Sequence, residues 1–76
     1  MSKVIVYTKD NCPQCMMTKK LMDALNIEYE TIDVTDNEEA REHIKQLGFQ
    51  TLPVVEADGF KPWFGFRPEN IDLLAK

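Results

Sequence analysis

The order of apolar runs and chain breakers predicts an α/β fold: a mixed four-stranded sheet flanked by three helices, in the order βαβαββα. Three observations carry this expectation. An unbroken apolar run, Val4-Ile5-Val6-Tyr7, leads through a short loop into a helical pattern. A second strand-like stretch and a second helical stretch follow without a linker. Two short strand-like segments then bracket Asp58-Gly59, a two-residue turn signal, before a last helical stretch. A βαβ unit crosses over and leaves its strands parallel, whereas a hairpin is antiparallel, so the sheet has to be mixed.

Residues 3–8 read as the first strand. Its apolar run does not alternate, which suits a central strand covered on both faces. Thr8-Lys9-Asp10-Asn11 is the loop into the first helix, which runs on to Leu25. Met17, Leu21, Ala24 and Leu25 fall at i, i+4, i+7 and i+8 and form its expected core stripe. Met16 and Met22 flank that stripe as gap-filling core. Asn26 ends the helix. Residues 28–34 mix β-branched and aromatic residues with acids, as an edge strand with one wet face does. Thr35 with Glu38, or Asp36 with Glu39, offers a capping box for the second helix, which runs to about Leu47. Ala40, Ile44 and Leu47 are its buried stripe, and Gly48 suits the C′ position. His43 lies at the margin of the stripe with no evident partner.

Val54-Val55-Glu56-Ala57 is the third strand. Residues 60–63 return as a short edge strand, marked as such by Pro62, which cannot donate to a ladder. Beyond the Gly65 turn, Pro68 suits the first position of the last helix. Ile71, Leu74 and Ala75 form its apolar face.

The chemistry sits in Cys12-Pro13-Gln14-Cys15, which holds both cysteines of the chain. A Cys-x-x-Cys where a strand gives way to a helix reads as a redox dithiol. Pro13 suits the first helical position, which makes Cys12 the N-cap. The Cys12 sulfur then faces the free N–H groups of Gln14 and Cys15, and these donors with the helix dipole favour a thiolate. Cys12 is therefore the expected nucleophile. Cys15, one helical turn on, is the expected resolving thiol. A purely structural disulfide is a poor alternative, because so short a loop restrains the unfolded chain little. A zinc or iron–sulfur carrier would need ligands shared between chains, since only the distant His43 adds to the two cysteines.

Seventy-six residues make one small domain, spanning 1–76. A net charge of −4 argues against a general nucleic-acid binder. Residues 1–26 carry four bases and two acids, whereas 27–47 carry seven acids and two bases, so the cysteines sit in a mildly basic neighbourhood. The first apolar run is too short for a secretory leader, and no stretch approaches the ~18 apolar residues of a membrane span. The expectation is a cytoplasmic monomer with no membrane contact, where a dithiol cycles rather than staying oxidised.

With this dithiol, Thr51-Leu52-Pro53 before a strand, and this element order, the chain resembles the thioredoxin/glutaredoxin superfamily over nearly its full length. Trp63-Phe64-Gly65-Phe66-Arg67-Pro68 is similar to the Trp-Ser-Gly-Phe-Arg-Pro signature of the NrdH-redoxins, and Gly48-Phe49 with Leu52-Pro53-Val54-Val55 agrees with that family. Phe64 stands where the signature has serine, and Pro13 where valine is common. Glutathione-using glutaredoxins carry Gly-Gly-x-x-Asp before the last helix. This chain has Gly65-Phe66-Arg67-Pro68-Glu69 there.

The resemblance implies a thioredoxin-like fold and a dithiol–disulfide oxidoreductase with no bound cofactor. It implies reduction by NADPH through thioredoxin reductase, and delivery of electrons to class Ib ribonucleotide reductase. A potential between the thioredoxin and glutaredoxin ranges, roughly −270 to −200 mV, goes with that role. Pro53 is implied to be the superfamily's cis-proline facing the dithiol. Leu52 and Pro53, with Pro13 and Gln14, are then expected to dock substrate, Leu52 by backbone pairing with an extended segment. Trp63 and Phe66 suit either the core or an apolar surface for a reductase. Phe64 points the opposite way if the segment is extended. Arg67 suits either a clamp on this loop or a solvated charge.

Overall fold

The computed structural model describes residues 3–75. Its elements run β1 (Val4–Thr8), α1 (Pro13–Ala24), β2 (Glu30–Asp33), α2 (Glu38–Gln46), β3 (Val54–Ala57), β4 (Trp63–Phe64) and α3 (Pro68–Leu74), the βαβαββα order expected. The sheet order is β2-β1-β3-β4. β1 pairs parallel with β2 and antiparallel with β3, and β3 pairs antiparallel with β4. The apolar run of β1 is thus a central strand, and the acid-rich β2 is an edge strand.

Two cores lie on opposite faces of this sheet, as the alternation of strand side chains requires. On one face Val4, Val6, Val55, Ala57 and Trp63 meet Met22 of α1 and Ile71 of α3. On the other Tyr7, Val34 and Val54 meet Ala40 and Ile44 of α2.

The buried stripe of α1 is Cys15, Thr18 and Met22, with Leu21 and Leu25 packed at its edge. Met17 and Ala24, expected inside, face solvent, as does Met16. The face is rotated because Thr18 can be buried at no polar penalty: its hydroxyl donates to the Gln14 carbonyl at 2.9 Å. Asn26, at φ 59°, ends the helix with the Asn26 N–H on the Asp23 carbonyl and the Ile27 N–H on the Met22 carbonyl.

α2 is capped by neither expected box. Asn37 is its N-cap and accepts the Ala40 N–H at 3.0 Å. Gly48, at φ 90°, closes the far end in the same way as Asn26, and this turns Phe49 back onto the sheet. The chain turns at Asp58-Gly59 as expected, with the Phe60 N–H on the Ala57 carbonyl, but rejoins the sheet only at Trp63. Pro62 offers no N–H, so residues 60–62 stay outside the ladder. In α3, Ile71 is buried and Leu74 packs against the core, while Ala75 is exposed.

His43 is exposed but not unpartnered. Its Nε2 lies 3.0 and 3.1 Å from the two Glu56 carboxylate oxygens, and the Tyr7 hydroxyl donates to the same carboxylate at 2.6 Å. Burial, that hydrogen bond and the carboxylate charge together push the Tyr7 phenol well above its ordinary value. No helix among the described residues is long and apolar enough to cross a membrane.

Candidate redox site

Asn11, at φ 58°, adopts the left-handed conformation that asparagine tolerates and turns the chain so that Cys12 begins α1. Cys12 is the N-cap, extended at φ −112° and ψ 99°, with Pro13 at the first helical position. Its Sγ accepts the Cys15 N–H at 3.3 Å. A sulfur so placed faces the positive end of the helix, where a negative charge is stabilised. The two cysteines are joined as a disulfide, their Cα atoms 5.2 Å apart. Both are buried, Cys15 the more deeply at 1% exposure against 6% for Cys12.

Two further loops meet this turn. The Leu52-Pro53 peptide bond is cis, and Pro53 is fully buried at the start of β3. The Pro53 carbonyl accepts the Gly65 N–H at 2.8 Å, which ties it to the loop between β4 and α3. Gly65 holds φ 82°, and that left-handed conformation lets the chain turn out of β4. One residue on, the Phe66 N–H reaches the Gln14 side-chain oxygen at 3.2 Å. The segment Gly65-Phe66 therefore bridges Pro53 to the dithiol turn, and Gln14 is an anchor for it as well as a surface residue.

The remaining expected site residues divide by face. Trp63 is buried in the core beneath α1 and α3, and Phe66 packs at its edge. Phe64 turns outward and is 41% exposed. Its ring lies 5.7 Å from that of Phe49 and 5.5 Å from the Arg67 guanidinium carbon. Arg67 Nε also donates to the Phe64 carbonyl at 3.2 Å, so Arg67 is a clamp on this loop. Leu52 is half-buried against the α2-side core. A groove beside it is lined by Lys9, Val34, Arg41, Ile44 and Gln50.

Phe49 had no expected part in the site. Its signal was Gly48, whose helix-ending conformation fixes where Phe49 falls. The Tyr7–Glu56–His43 cluster was also missed. Its signal was a lone carboxylate inside the apolar run of β3.

A glutaredoxin family model matches residues 4–60. The glutaredoxin-like protein NrdH of Escherichia coli strain K12 is 40% identical over 72 residues, covering 95% of this chain and 88% of that protein. The NrdH protein of Lactococcus lactis is 38% identical over 72 residues, covering 95% and 99%. The solved structure of Escherichia coli NrdH-redoxin superposes with a TM-score of 0.91 at 39% identity, covering 95% of this chain and 93% of that one. The chain belongs to the NrdH-type glutaredoxin-like proteins. As such it has the thioredoxin-like fold and is a thiol–disulfide oxidoreductase with the Cys12–Cys15 pair. A glutaredoxin from Archaeoglobus fulgidus, with a TM-score of 0.77 at 26% identity, has the same architecture, covering 100% of this redoxin and 88% of that chain.

Proposed function

We propose that this redoxin carries electrons from NADPH, through thioredoxin reductase, to the redox-active cysteines of a class Ib ribonucleotide reductase. The observation that carries the exchange chemistry is the seat of Cys12 Sγ at the N-cap of α1. In the reduced protein that seat favours a Cys12 thiolate. The thiolate attacks one sulfur of a substrate disulfide, and the other sulfur leaves and takes up a proton. Cys15 then loses its proton and attacks Cys12 Sγ, releasing the second substrate sulfur, which is protonated in turn. The substrate gains two electrons and two protons, and the redoxin is left with the Cys12–Cys15 disulfide. Cys15 is the more deeply buried sulfur, which suits the resolving role.

Leu52 and Pro53 dock an extended substrate segment by backbone pairing, beside Pro13 and Gln14. Phe64, Phe66 and Arg67 extend the docking face, while Trp63 supports it from the core. The single domain works as a cytoplasmic monomer without a bound cofactor.

A second reading, a glutathione-dependent glutaredoxin, is favoured by the groove beside Leu52. Lys9 and Arg41 flank it, and they would suit the carboxylates of a tripeptide. Against it stands the Gly65-Phe66-Arg67-Pro68-Glu69 segment. The test mixes oxidised redoxin with NADPH and thioredoxin reductase, and separately with NADPH, glutathione and glutathione reductase, and follows NADPH consumption. Fast turnover with thioredoxin reductase alone supports the proposal. Turnover with glutathione alone overturns it in favour of the second reading.

A further inference from the structure

The outer edge of β4 carries an arrangement that the exchange chemistry does not need. The Gly65 N–H bond to the Pro53 carbonyl continues the β3–β4 ladder one step, opposite the pairs Val54–Phe64 and Val55–Trp63. In an antiparallel ladder, residues alternate between facing the partner strand and facing away from it. Phe64 therefore turns its backbone N–H and carbonyl to the open edge of the sheet. Arg67 occupies that edge. It is held to Phe64 twice, by Nε on the carbonyl and by its guanidinium over the ring. The Phe64 ring is in turn propped by Phe49.

These two contacts hold the guanidinium beside Phe64, and Arg67 is exposed to solvent there. Among the described residues, neither Arg67 nor the nearby Lys61 forms an ion pair. Both line one groove with Phe49, Pro62, Phe64 and a single acid, Glu69. In a chain of net charge −4, this groove carries two cations against one anion beside two aromatic rings in tilted contact. The same loop is tied to Pro53 through Gly65 and to Gln14 through Phe66, so the groove keeps a fixed relation to the dithiol.

We propose that Phe49, Phe64, Lys61 and Arg67 form a recognition platform for an acidic segment of the protein disulfide substrate, a chain with a carboxylate next to an aromatic or aliphatic side chain. The carboxylate pairs with the exposed Arg67 guanidinium, a contact that arginine offers in bidentate form. The neighbouring apolar side chain lies on the Phe64 and Phe49 rings. Phe64 acts both as contact and as positioning residue, because its ring and carbonyl orient Arg67. Serine at this position would keep the carbonyl bond and lose the ring. The platform rests on the dithiol-exchange reading and assigns that reaction a substrate preference.

The test uses two synthetic peptides with the same intrachain disulfide, one flanked by Asp-Phe and the other by Asn-Phe. Their rates of reduction by reduced redoxin are compared, with oxidised mercaptoethanol as a small disulfide lacking any flank. The expected result is that the acidic peptide is reduced roughly three- to fivefold faster, the upper part of the range an exposed ion pair supports. That ratio should shrink as salt is raised. F64S and R67Q should each bring the ratio below about twofold, and F64W, which keeps an aromatic face, should restore it. The ratio cancels any general change in thiol reactivity or stability. Equal rates for the two peptides with wild-type protein would overturn the platform, as would F64S or R67Q keeping the full ratio. Failure of wild-type protein to reduce even oxidised mercaptoethanol would instead sink the exchange reading beneath it.

Discussion

Replacing Tyr7 with phenylalanine removes one oxygen atom and tests whether the Tyr7–Glu56 bond of the Tyr7–Glu56–His43 cluster ties β1 to β3. The Tyr7 hydroxyl donates to Glu56 at 2.6 Å in a part-buried setting, and Tyr7 itself is only 5% exposed. A hydrogen bond to a charged acceptor contributes about 1.5–3 kcal/mol. The lower end applies here, because Glu56 keeps His43 as a second partner and is not left bare. Y7F should therefore lose about 1.5 kcal/mol, which lowers Tm by roughly 6–12 °C in a domain of this size. Urea unfolding of the oxidised protein at neutral pH should show a lower midpoint with an unchanged slope.

The pH dependence follows from the raised phenol pKa. A group held protonated by the fold stabilises it fully below its unfolded pKa, about 10 for tyrosine, and loses that contribution as pH climbs through the folded value. The gap between wild type and Y7F should thus hold from neutrality to about pH 10 and narrow above it. A variant as stable as wild type at neutral pH, or a gap that widens in alkali, would refute the reasoning.

Three further outcomes can be checked directly. N37A removes the acceptor for the Ala40 N–H and should cost about 1 kcal/mol by chemical denaturation, whereas T35A and D36A should each cost less than half of that. I71A empties a fully buried site between α3 and the sheet and should cost about 2–5 kcal/mol, visible in a thermal melt. C15S should leave Cys12 linked to a protein disulfide substrate as a mixed disulfide that intact-mass measurement detects, whereas C12S should trap none.

The parts of the fold that could be read from the chain are those whose cause is local. Pro13 behind Cys12 declares a helix start, and Gly48 and Asn26 declare helix ends, because one residue's backbone preference decides each. The apolar run of β1 declares a central strand for the same reason. The misreadings come from competition between local signals or from distance. Met17 has the right spacing for the α1 stripe, but Thr18 takes the inner face because its hydroxyl finds the Gln14 carbonyl one turn back. Asn37 displaces two plausible capping boxes, since a lone asparagine caps as well as either. The β4 strand is shorter than its apolar residues suggest, because Pro62 cannot join the ladder. At the site, the dithiol and the outward turn of Phe64 were legible from spacing and alternation. The bridges from Gly65 to Pro53 and from Phe66 to Gln14 were not, since they join loops brought together only by the sheet order. The His43–Glu56–Tyr7 cluster likewise spans three elements, and no periodicity in any one of them announces it.

The placement of β1 between β2 and β3 bears on how the chain comes off the ribosome. Synthesis delivers the amino end first. β1, α1 and β2 can emerge and pair, but one edge of β1 stays open until Ala57, its last partner on β3, has emerged as well. For most of that interval the Cys-Pro-Gln-Cys turn exists without Pro53 beside it, and for all of it without the Gly65-Phe66 bridge. The nascent chain therefore presents two closely spaced thiols and an unpaired apolar strand at once. Its vulnerability to stray oxidation and to edge pairing ends only when the last third of the polypeptide arrives.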